Sequence, residues 1–222
     1  MSLRYSKLSP RQSAELLKLF VAGSTARTAA DLVGVHRNTS ALFFAKVRAM
    51  IARHQERAMN KAFDGAVEID ESYFGGRRKG KRGRGAGGKV AVFGILKRKG
   101  QVYAQMIAHC GHADIVPILR RKVVPASVVY SDSWHGYDNL FVEGYCHQRI
   151  DHASEFAGKD GRHINGIENF WNQAKRHLRK FNGVPKKSFP LFLQECVWRF
   201  NIGTPRKQLE LLRKLLRRKK IS

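Results

Sequence analysis

The feature that most constrains this 222-residue chain is a single change of hydrophobic period near Phe63. Before it, apolar residues recur at three- and four-residue steps, the spacing of one helix face; after it they come in short β-branched runs, the mark of strands. A uniform helical bundle and a uniform β-sandwich are both excluded. The expected architecture is a small all-α segment followed by a mixed sheet with helices on its faces.

Ser9-Pro10 reads as a helix start, with Ser as N-cap and Pro at the first helical position. Leu16, Leu17, Leu19 and Phe20 give an apolar face, and Gly23 ends the helix. A second helix is expected over 25–33, a tight turn at Gly34-Val35, and a third helix over 36–54. Two helices joined by a Gly-containing turn, the second opening with polar residues, form the helix-turn-helix pattern. Arg37, Asn38 and Thr39 would face base edges or phosphates.

Beyond Phe63 the chain predicts strands over 66–74, 90–96 and 101–108, the last two joined by a hairpin turn at 97–100. A helix over 112–123, a buried strand over 127–130, a short helix after Trp134, a strand over 145–150 and a long helix over 165–181 follow. Residues 75–89, GGRRKGKRGRGAGGK, carry seven positive charges and no negative one. They can bury nothing, so they are expected to form a loop. Arg77, Arg78, Lys79, Lys81, Arg82 and Arg84 would contact phosphates.

Charge narrows the partner. Lys and Arg number 42 against 17 Asp and Glu, a net +25. A small-metabolite enzyme has no need of that imbalance, whereas a protein that binds double-stranded DNA does. No apolar run approaches the roughly 20 residues that span a bilayer. The opening MSLRYSKLSP lacks the apolar core of a signal peptide, so a cytoplasmic protein is expected. Cys110, Cys146 and Cys196 are widely spaced, which argues against a zinc site or a disulfide framework. They are expected to be reduced and mostly buried.

Three carboxylates stand out. Asp70 lies late in the first strand, Asp132 just past the fourth, and Glu168 in the first turn of the long helix. The strand and helix order is that of the ribonuclease H-like fold, in which strands one and four are neighbours. Carboxylates that close repel one another unless a cation sits between them. Hard oxygen ligands suit two Mg²⁺ or Mn²⁺ ions, which about 4 Å apart clamp the two oxygens of a phosphodiester displacement. Glu71 is a rival to Asp70, but it shares a face with apolar Val67 and Ile69, while Asp70 shares one with Glu68. In the long helix, Asn165, Glu168, Asn172, Lys175 and Arg179 form a polar stripe beside the apolar one of Ile167, Phe170, Trp171, Ala174, Leu178 and Phe181. Lys175 lies two turns from Glu168 on the same side and could hold a DNA phosphate; Arg179 extends the basic surface. Asn165 and Glu168 also have the spacing of a capping box, which leaves a purely structural role for Glu168 open. Asp138, Asp151 and Asp160 have no comparable setting. His163, near the helix start, is expected in a surface loop. Trp134 and Trp171 are expected in the core.

The segments VEIDESYFGG, VVYSDSWHGY, HINGIENFWNQAK and CVWRFN resemble the DDE transposases of bacterial insertion sequences, closest to the small ISXO-type family, and more distantly retroviral integrases. Thirty-five residues separate Asp132 from Glu168, the spacing of the DD35E enzymes. The resemblance covers roughly residues 60 to 205. It implies cutting at transposon ends and joining to target DNA with Mg²⁺, and work as a homo-oligomer on DNA. Relatives with an N-terminal zinc ribbon differ from this chain, which has no cysteine there. Some relatives are described with Asn as the third catalytic position, so Asn165 competes with Glu168; a carboxylate binds a hard cation better. The expected division is a helix-turn-helix DNA-binding domain over 1–60, a ribonuclease H-like catalytic domain over 61–205 and a basic C-terminal helix over 206–222. A non-catalytic DNA-binding regulator and a nuclease or resolvase without strand transfer remain the alternatives.

Overall fold

The computed structural model describes residues 8–75, 88–132, 144–150 and 163–218. Contacts group the chain into two units, Met1–Arg57 with Gln194–Ser222, and Ala58–Leu193.

The first unit is all α. Helix α1 (Pro10–Val21) opens on the expected cap: Ser9 accepts the Gln12 N–H, and the Gln12 side chain returns a bond to the Ser9 N–H. Helix α2 (Ala26–Val33) ends at Gly34, whose φ of 67° is left-handed and so favours glycine. Helix α3 (Arg37–Ala58) begins after His36, whose Nδ1 accepts the Asn38 N–H. Leu16, Phe20, Phe44 and Ile51 are fully buried, with Phe20 edge-on to Phe44 at 5.1 Å. Helix α6 (Phe189–Ile202) contributes Trp198 to this core, and α7 (Pro205–Arg218) contributes Leu212. The leucines of the basic tail are thereby accounted for as the apolar stripe of α7. Glu195 is buried between Arg48 (2.6 Å) and Arg199 (2.9 Å). Arg199 also donates to the carbonyls of Phe20 and Val21 in the last turn of α1, where helix carbonyls run short of intrahelical donors.

The second unit is a five-stranded mixed sheet in the order β3-β2-β1-β4-β5. Its elements are β1 (Ala66–Phe74), β2 (Val90–Lys97), β3 (Val102–Ile107), α4 (His112–Lys122), β4 (Val128–Asp132), β5 (Cys146–Ile150) and α5 (Asn165–Arg179). The first three strands are an antiparallel meander; β4 and β5 are parallel to β1. This is the ribonuclease H-like arrangement. Strand alternation sorts the side chains. Val67, Ile69, Phe93, Ile95 and Val129 pack against Ile115 and Leu119 of α4. The opposite face receives α5.

The thiols depart from expectation. None is in a disulfide, but Cys146 is exposed and Cys110 half-buried; Cys196 alone is buried. Cys146 opens β5, the last strand in the sheet order, and pairs there with Val128 of β4. The sequence-predicted groups Arg77, Arg78, Lys79, Lys81, Arg82, Arg84, Trp134, Asp138, Asp151 and Asp160 lie outside the described residues. No helix among the described residues is long and apolar enough to cross a membrane.

Candidate active site

Alternation along β1 turns Glu68 and Asp70 toward α5 and Val67 and Ile69 toward α4. Glu71 has the opposite parity, the one of Val67 and Ile69, yet it lines the same cavity as Asp70. Strand β4 runs parallel to β1, with Val67 beside Val129 and Glu68 beside Tyr130. The same register carried two residues further brings Asp132, the last residue of β4, level with Asp70. Glu168 enters from the first turn of α5.

The three acids feel one another. Burial raises the Asp70 pKa to about 7, and the charges of Asp132 and Glu168 push it in the same direction; the Glu71 N–H, donating to Oδ1 at 2.8 Å, opposes the rise. The indole N–H of Trp171 is buried without an acceptor in bonding distance, yet it lies near enough to favour the ionised carboxylate weakly. A buried acid held back from ionising by two others is a setting that a divalent cation relieves. The donor set is all hard oxygen, which fits Mg²⁺ or Mn²⁺. Among the described residues, no three acidic, imidazole or thiol groups stand close enough together to hold a metal ion.

Lys175 is exposed and, with Asp70, lines one cavity of about 280 Å³. Arg179 is exposed one turn further along α5. Asn165 is exposed as the first residue of the helix, whereas Glu168 is half-buried and its charge reaches Asp70. The capping-box alternative for Asn165 and Glu168 gives way: the N-cap is Ile164, and no local side chain caps the helix. Trp171 lies in the core, as expected. In the first unit, Arg37 and Asn38 are exposed and Thr39 half-buried, all in the first turn of α3.

Residues 62–201 match the ISXO2-like transposase domain. The chain belongs to this family. An uncharacterized transposase-like protein of Haemophilus influenzae is 46% identical over 119 residues, 54% of this chain and 96% of that protein. Among solved structures, the catalytic core domain of BIV integrase is similar at 13% identity, with a TM-score of 0.39, over 71% of this chain and 99% of that one. The mariner Mos1 paired end complex with Mg is similar at 13% identity, with a TM-score of 0.31, over 94% of this chain and 80% of that one.

In this ISXO2-like transposase the seat of α5 depends on residues that sequence reasoning passed over. Glu68 is buried; its Oε2 accepts the Ile167 N–H at 2.9 Å, so the cap that α5 lacks locally comes from β1. Its Oε1 takes Arg98 Nε at 3.3 Å, and His163 Nδ1 stands 3.5 Å away. Arg98 also donates to the His163 carbonyl at 2.6 Å and lies 3.6 Å from the centre of the Tyr130 ring. Gly94 is paired with Asp70 on β2, and a Cβ there would fall 2.5 Å from the Trp171 ring. A Cβ on Gly166 would fall 2.8 Å from Glu68 Oε2. Glycine inside a strand signals such close approach, so Gly94 was findable from sequence. Glu68 had only its shared face with Asp70 to mark it.

Proposed function

We propose that this transposase cuts DNA at the ends of a mobile element and joins the freed ends to target DNA, with Asp70, Asp132 and Glu168 holding two Mg²⁺ or Mn²⁺ ions. The observation that carries the reading is the Asp70 carboxylate, lifted to about 7 by burial and by the two other acids. Clustering half-buried acids costs a fold free energy unless something compensates them. When bound, the ions activate the attacking oxygen and neutralise charge on the leaving oxygen of a phosphodiester.

The protein's own residues do the rest. Asp70 and Asp132 follow the paired stretches of adjacent parallel strands, which supports their acting together. Glu168 is brought to them by a helix clamped to β1 through Glu68. Lys175, beside Asp70, neutralises and orients a phosphate of the strand to be cut. Trp171, buried beside Asp70, turns its indole N–H toward that carboxylate. The first turn of α3, with Arg37, Asn38 and Thr39, reads DNA from the 1–60 segment; the bases of 77–84 contact phosphates. The working form is a homo-oligomer on DNA in the bacterial cytoplasm, since two ends must be handled together.

The test uses DNA carrying the element's ends. Asp70→Asn, Asp132→Asn and Glu168→Gln should each abolish Mg²⁺-dependent cutting and joining while leaving end binding intact. Cutting that survives in all three refutes the assignment. Cutting of branched DNA without joining would identify a resolvase, and binding without any cutting by the unaltered protein a regulator. With about eight phosphates neutralised, binding should weaken on the order of 10⁴-fold between 50 and 200 mM salt.

A further inference from the structure

We infer that a second cleft, adjoining the carboxylate cavity, seats the sugar–phosphate backbone of the DNA strand where it runs past the reacting phosphate. The inference rests on the cleavage reading above and names two phosphate contacts, Lys89 and Lys186, together with His109.

The cleft measures about 400 Å³ and lies where β1 and β3 end and β2 begins. Tyr73, Lys89 and Cys110 line both it and the cavity that holds Asp70 and Lys175, so the two spaces share a wall and form one path. Charge changes sign along that path. The inner cavity has Asp70 and Glu71 beside its lysines; the outer cleft has Lys89, Lys186 and His109 and, among the described residues, no acid in its lining. A phosphate is repelled by the inner acids unless cations cover them, whereas the outer cleft attracts it outright. Lysine suits this role as a point charge on a flexible stem, which serves any sequence. Met106 and Ile107 supply apolar wall against which sugars can lie. The Tyr73 hydroxyl donates to Cys110 Sγ at 2.8 Å, fixing the boundary between the two spaces. The lining thus combines basic with apolar side chains, which suits the phosphates and sugars of a nucleic-acid strand.

Cys110 provides a direct probe. Full-length protein carrying Cys146→Ser, to remove the exposed thiol, would be mixed with DNA whose backbone bears an activated disulfide tether one or a few nucleotides beyond the cut phosphate. The Cys110 thiolate would attack the tether sulfur, form a protein–DNA disulfide and release the small thiol. Cross-linking should depend on tether position, vanish in Cys110→Ser and fall several-fold in Lys89→Ala/Lys186→Ala. Salt titration of the same double variant should show a slope smaller by about 1.4 to 1.8 on DNA with the extension, and an unchanged slope on DNA that ends at the cut phosphate. Unfolding midpoints check that the variants fold.

The source of the strand follows from activity. If it is the element's own flank, the double variant loses cutting and joining; if it is target DNA, it loses joining alone. Cross-linking no greater than in Cys110→Ser, or a slope loss equal on both DNAs, overturns the inference. Position-dependent cross-linking in a protein that shows no metal-dependent cutting would retain the cleft and refute the cleavage reading instead.

Discussion

Glu68→Ala tests whether α5 is held by the sheet. The side chain is 2% exposed and satisfies the Ile167 N–H, while Arg98, its ionic partner, is 22% exposed. Truncation leaves a buried helix-terminal N–H with no acceptor, at about 1–3 kcal/mol, and removes one partner of a buried pair, at about 3–5 kcal/mol. These overlap, because one carboxylate serves both. Arg98 can recover part of its share through water, through the His163 carbonyl and over the Tyr130 ring. The expected cost is therefore about 3 kcal/mol. Glu68→Gln keeps an oxygen for Ile167 and loses only the charge toward Arg98, so about 1–1.5 kcal/mol is expected. Urea unfolding followed by circular dichroism gives both numbers. Hydrogen exchange at the Ile167 amide adds a local reading: it should accelerate strongly in the Ala variant and slightly in the Gln variant. Equal costs for the two variants, or a loss below about 1 kcal/mol for Ala, would show that α5 is seated by its apolar stripe alone.

Three further outcomes follow from the same coordinates. Because the Asp70 pKa is raised from 3.8 to about 7, the metal-free native state binds a proton that the unfolded chain has released; stability should fall as pH rises between about 4 and 7, by up to about 4 kcal/mol, and then level off. Asp70→Asn should flatten that slope in unfolding measured with EDTA, leaving the variant the more stable at pH 8; parallel curves for the two proteins refute it. Gly94→Ala places a methyl against the Trp171 ring, at a cost of about 1–3 kcal/mol. An unchanged unfolding midpoint would mean that α5 can lift without loss. Arg199→Ala removes the donor to the Phe20 and Val21 carbonyls and leaves Glu195 with Arg48, costing about 3 kcal/mol in thermal unfolding; a loss under about 1 kcal/mol rejects this role.

What the sequence disclosed is what short-range rules govern. Ser9-Pro10 announced α1 because capping is settled within four residues, and Gly34 announced the turn because only glycine takes its φ without cost. Alternation gave Asp70 and Glu71 opposite parities and drew the β1 span, 66–74, to its observed ends. Concealed were the contacts that close over long separations. Glu68 caps a helix 99 residues away, and nothing in VEID distinguishes a buried helix cap from a solvent-facing acid. Arg98 looked like part of a hairpin turn because its neighbours are Lys97 and Lys99; its role depends on Tyr130 and on the start of α5. Burial of the thiols was misjudged at Cys146 for the same reason, since an edge strand is an edge only once the sheet has formed.

The legible spacing and the hidden clamp answer one requirement. Asp70 and Asp132 need less support, because parallel pairing of Ala66–Glu68 with Val128–Tyr130 sets their strands side by side two residues before them. Glu168 has no such tie: its helix follows β5 after the fourteen residues 151–164, and a helix lying on a sheet can slide or lift. Gly94 and Gly166 permit α5 to come closer than side chains would allow, and Glu68 pins its first turn from beneath. Closeness and capping therefore act on the single acid that the sheet cannot place. If that is correct, Glu68→Gln and Gly94→Ala should weaken cutting more than their stability losses explain, with the excess appearing as a raised Mg²⁺ requirement. A comparable loss of fold at an unchanged Mg²⁺ requirement would mean that Glu168 is placed by something else.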